Sequence, residues 1–170
     1  MPMFSSRMRS ALSGLFAIAG IGLIPGGAQG QVPQMNEYAV KFVCGKAPVS
    51  TATAPVPVAP GFYFTAINVH NPSPGPVEFR KKFVQALPNQ KAGKISEFAG
   101  AALKSDEAFD VECAEITKRL SLPPTTFVTG FVVFQIGQPR ELDIVAVYTA
   151  AASASGPVVT FDTARIPKRP

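Results

Sequence analysis

Asn68, His70 and Asn71 are the residues best grouped to do chemistry, and His70 is the chain's only histidine. An imidazole beside amides could exchange protons near neutral pH. With Tyr63 or Tyr148 alongside, these residues would form a small polar ligand site or a hydrolytic centre. The preferred reading is plainer: the histidine and the asparagines hydrogen-bond the adjacent turn. Nucleophilic catalysis lacks its usual frame. No Gly-x-Ser-x-Gly elbow is present, and Ser73 follows Pro72. Zinc needs His, Cys or carboxylates at set spacings, and one histidine with two cysteines does not supply them. Asp106, Glu107, Asp110, Glu112 and Glu115 cluster, but without a calcium loop they read as a solvated face. Glu141, Asp143 and Asp162 could serve glycoside hydrolysis only if two of them were apposed, and their spacing places no pair. No tryptophan is present to act as a sugar platform. The sequence therefore nominates no catalytic residue, no metal and no cofactor.

Cys44 and Cys113 are the only cysteines. An even count without a C-x-x-C motif favours one disulfide over two buried thiols, provided the chain is exported. The first thirty residues predict export. Arg7 and Arg9 precede an apolar run over residues 11–24, then Pro25, and Ala28-Gln29-Gly30 gives the small-x-small cleavage pattern before Gln31. That run is shorter than the roughly 17–25 residues of a spanning helix. The expected organisation is a signal peptide, 1–30, and one secreted or periplasmic β-rich domain, 31–170. Residues 31–36 and 167–170 are expected to be mobile ends. No membrane span is expected after cleavage.

Composition bounds the partners. The chain is 46% hydrophobic and 16% charged, which excludes disorder. Its net charge of +5 includes Arg7 and Arg9 of the leader. The remainder forms no basic stripe, so nucleic acid is not an expected partner. Arg80-Lys81-Lys82 reads as a solvated strand edge.

The elements that must position these residues are mostly strands. Alternation or branched and aromatic runs predict strands at 38–44, 62–70, 77–87, 127–136, 141–150 and 158–166. Residues 45–60, with Pro48, Pro55, Pro57 and Pro60, read as an extended surface loop. The proline-rich turn at 71–76 and the stretch 137–140 each predict a hairpin. Residues 90–104 read as an irregular connection. Residues 105–120 predict the one helix, with Ser105 as N-cap and Phe109, Cys113, Ile116 and Leu120 on one stripe. The fold class is mainly β: an antiparallel β-sandwich, immunoglobulin-like or a related Greek key, of about six strands with one packed α-helix.

Several strands are apolar on both faces, as at Phe131 to Phe134 and Ile144 to Tyr148. An antiparallel sheet with one wet face alternates instead, so either the helix and loops or a partner must cover the second face. Asp143 interrupts one such strand. Buried, it needs Arg165 or Lys41; at an exposed strand end, the preferred reading, it needs neither.

Residues 40–45 (VKFVCG), 65–72 (TAINVHNP), 129–133 (TGFVV) and 142–150 (LDIVAVYTA) resemble exported bacterial single-domain proteins of unassigned activity. The resemblance implies a bacterial exported origin and brings no site residues with it. The leading functional expectation is a non-enzymatic binding or assembly module of the periplasm or cell surface, with a protein partner or itself, using an apolar strand face or sheet edge. The alternatives are an enzyme or ligand-binding site around His70 and a periplasmic chaperone-like domain that offers a strand edge.

Overall fold

The computed structural model describes residues 34–49 and 58–169. The predicted leader and most of the proline-rich loop lie outside them. The described chain is mainly β. Its elements are β1 (Met35–Ala47), β2 (Gly61–His70), β3 (Val77–Ala86), β4 (Ala92–Ile95), β5 (Ala99–Leu103), β6 (Ala108–Glu112), α1 (Cys113–Arg119), β7 (Val128–Gly137), β8 (Asp143–Ala151) and β9 (Val158–Arg165). Every pairing is antiparallel. The order is β4-β3-β7-β1-β2-β8-β9, with β5 also on β3 and β6 also on β2.

β1 is the strand on which this order turns. From Met35 to Cys44 it pairs with β7, and only from Gly45 to Ala47 with β2. Gly45 sits at the change with φ +89°, where a Cβ would stand 2.3 Å from the Thr126 carbonyl oxygen. No L side chain fits there without strain. Two strand groups result, β3–β7–β1 with β4 and β5, and β2–β8–β9 with β6. Their inward residues, among them Phe42, Phe83, Phe134, Ile67 and Ile144, form one core. Phe79 of β3 stacks on Phe109 of β6 at 5.8 Å between ring centroids and joins the groups directly.

Nine strands replace the expected six. β4 and β5 lie in the stretch read as irregular, because AGKI and AGAAL carry too few large side chains to show alternation. β6 occupies the first half of the predicted helix. Phe109 and Val111 alternate there, and the segment pairs with residues 66–70 of β2. The helix is correspondingly short. Its N-cap is Glu112, not Ser105, and makes no side-chain cap bond. Ile116 and Leu120 are buried in the shared core, so the helix plugs that core and does not cover an outer strand face.

The two predicted hairpins are crossings. β2 does not pair with β3, nor β7 with β8; each connection passes from one strand group to the other. Pro72, Pro74 and Pro76 in the first lack the N–H groups that a tight hairpin ladder uses. β8 and β9 do pair as consecutive strands, with Val145 opposite Arg165. Residues 36 and 168–169 are held more than the sequence suggests. Asn36 is buried with its amide donating to the Arg140 carbonyl, Arg169 bridges to Glu37, and Lys168 pairs with Glu141.

Cys44 and Cys113 are bonded, with Cα atoms 5.6 Å apart, and fasten the start of α1 to β1. Arg80-Lys81-Lys82 is not a solvated edge, because β3 lies between β7 and the β4 and β5 strands. Lys81 faces inward and is buried, with Nζ 3.1 Å from Glu115 of α1 and 4.6 Å from the Phe109 ring centroid. The ion pair and the ring together offset the cost of burying the ammonium. Asp143 is half-buried and paired, with its carboxylate 3.0 Å from the Arg165 guanidinium.

Candidate functional site

Alternation on β2 sends Thr65, Ile67 and Val69 inward and leaves Phe64, Ala66, Asn68 and His70 on the outer face. Asn68 lies opposite Asp110 of β6 and Val145 of β8, and His70 opposite Ala108 and Asp143. The Asn68 amide donates to the Asp110 carboxylate. His70 Nε2 is 3.8 Å from Asp106, and the ring is partly exposed. Two of the three proposed ligand residues thus share a face.

Asn71 does not join them. It is fully buried. Its Nδ2 donates to the carbonyls of Gly75 at 2.9 Å, Leu103 at 3.2 Å and Lys104 at 2.9 Å, and its Oδ1 accepts from the N–H and hydroxyl of Ser73. Its backbone bonds to Glu107 and Asp106. Every polar atom of Asn71 is engaged, some within the 71–75 turn and the others with residues 103–107. Asn71→Ala should cost about 2–3 kcal/mol, because several buried carbonyls lose their donor. His70→Ala should stay within about 0.5 kcal/mol. Urea unfolding of the two variants checks the contrast.

Tyr63 and Tyr148 sit toward the other end of β2 and β8. The Tyr63 hydroxyl donates to the Ala59 carbonyl at 2.7 Å, and that of Tyr148 to the Lys41 carbonyl at 2.9 Å. Burial, followed by the nearby Asp162 charge, pushes the Tyr148 phenol above its ordinary pKa. Glu141 and Asp143 are each spent on their own cation. Among the described residues, no three His, Cys, Asp or Glu side chains gather closely enough to hold a metal ion.

The same face becomes apolar away from His70. A cleft of about 420 Å³ has Phe64, Ala66 and Val147 in its floor and Cys113, Ala114 and Pro124 in its wall. A second, of about 270 Å³, opens where β1 meets the inward row of this group, between Lys41, Val43, Tyr148 and Asp162. Phe64 is 45% exposed and Phe161, on β9, 65%. Among the described residues β9 pairs only with β8, and every residue in it except Ala164 is exposed. The sequence did not single out the exposed apolar residues of β9, Val158, Val159 and Phe161. The only signal was a strand (VVTF) that does not alternate at its start. No family model, curated protein or solved structure matches this chain.

Proposed function

We propose that the protein is an exported, non-enzymatic binding or assembly module of the periplasm or cell surface, and that it engages a protein partner through the apolar end of the β2–β8–β9 face and the free edge of β9. The observation that carries this reading is the exposure of Phe64, Val158, Val159 and Phe161 together at that end. A bare strand edge with apolar side chains is a template for pairing that a solitary protein blunts with lysine, proline or a covering loop, and β9 itself has only Asp162 and Arg165 as charges. The 1–30 leader pattern and the Cys44–Cys113 bond support an oxidising compartment. We take the two strand groups around one core as the layers of a sandwich, a frame that commonly presents binding surfaces.

A photo-reactive residue substituted at Phe161 tests the reading in cells that make the full chain. Discrete cross-linked species are expected there, and none from the same residue at Lys91. Absence of adducts at both positions overturns the reading, as does loss of biological activity in His70→Ala with activity retained in a folded Phe161→Lys variant.

A further inference from the structure

Two faces turn away from the shared core, and they carry opposite charge. On the first, the outward residues of β3 bring together Arg80 and Lys82, while Lys41 of β1 lies across β7 in the Phe131 row. The Arg80 guanidinium lies 4.4 Å and the Lys82 ammonium 4.7 Å from the centroid of the Phe98 ring. The ring orders both cations without neutralising them. Among the described residues, neither forms an ion pair with a carboxylate. Glu37 and Glu78 lie only at the Arg80 end. Beside the cations the face is apolar, with Ile95 and Phe131 on either side of Val84; Ile95 is 64% and Phe131 39% exposed.

The second face also has an aromatic end and a charged end, with carboxylates in place of the cations and set one strand to the side, on β6. Phe64 and Phe161 flank Thr149 at the apolar end. Glu112 and Asp110, both exposed, follow along β6 opposite Ala66 and Asn68. Aromatic ends and oppositely charged ends can therefore meet at once.

We propose that the occupant of the β2–β8–β9 face is the β1–β7–β3 face of a second copy of this chain. This deepens the binding reading above and rests on it. The contact is head to tail, so a pair keeps one face of each kind open and copies can add in series. Four strands by four outward rows give on the order of 500 Å² per copy. That is the small end of specific interfaces, so the association is reversible.

Reciprocal charge reversal tests this on protein made from the full-length chain. Wild type should rise about twofold or more in weight-average mass by sedimentation between about 1 µM and 1 mM, the range of weak dissociation constants. Arg80→Glu/Lys82→Glu should stay monomeric, as should Asp110→Lys/Glu112→Lys. An equimolar mixture of the two should associate again, because the reversed face of one variant fits the reversed face of the other, and the two unaltered faces fit as in wild type. That rescue cannot come from unfolded protein. Wild type that stays monomeric throughout overturns the proposal. So does association unaffected by either reversal but lost in Val158→Lys/Phe161→Lys, which would leave the binding reading standing. Monomeric protein whose Arg80 and Lys82 hold heparin instead also overturns it.

Discussion

Cys113→Ser should remove about 4 kcal/mol of stability, since the bond spans 69 residues and long loops lose the most chain entropy when cross-linked. In a domain of this size that is roughly a 10–20 °C fall in melting temperature. The loss should be larger than the chain-entropy figure if the serine hydroxyl finds no partner beside Val43 and Thr65, whose backbone groups surround the sulfur. Ser105→Ala is the control and should be almost silent. Ser105 caps nothing, because the helix starts eight residues later at Cys113. Calorimetry of the two variants, with peptide mapping of the wild type under non-reducing conditions, checks the result. Two alkylatable thiols in the native protein would refute it.

Val132→Glu should abolish folding. Val132 is 0% exposed and lies between Val40 of β1 and Phe83 of β3 in register. A carboxylate there would be buried without a cation, at a cost comparable with the roughly 5–15 kcal/mol that holds a domain together. Val147→Lys, on the outer face of β8, should keep the native circular dichroism and lose less than about 1 kcal/mol. The two positions looked alike in the sequence, since both strands are apolar on both faces. A stable, folded Val132→Glu protein would mean that the inward face of β7 is the other one.

What could be read in the sequence follows how local each signal is. Strands β2, β3, β7, β8 and β9 were legible because branched and aromatic residues fill them. The helix was overextended for a physical reason. Phe109 leans on the core from a strand and Ile116 and Leu120 enter it from a helix, so one apolar spacing served two kinds of element. The pairings were not legible, because β1 finds its main partner at β7, far along the chain. Lys81 sat in a charged triplet; strand alternation sets it on the face of Phe79 and Phe83, but nothing local supplies the Glu115 carboxylate that lets it stay buried there. Of the candidate site, the shared face of Asn68 and His70 was legible from strand alternation. The burial of Asn71 was not, since its partners Leu103 and Lys104 lie some thirty residues on.

The double role of β1 also bears on how the chain is made. Its long partner, β7, ends at Gly137, so a ribosome must complete most of the polypeptide before the first strand can be matched. β2 offers β1 only the three residues from Gly45 to Ala47 in the meantime. No N-terminal subset of the fold is closed, and non-local pairing of this kind is slow. The pairings of β3 with β4 and β5 and of β2 with β6 can form earlier, but the strand that unites the two groups is matched last.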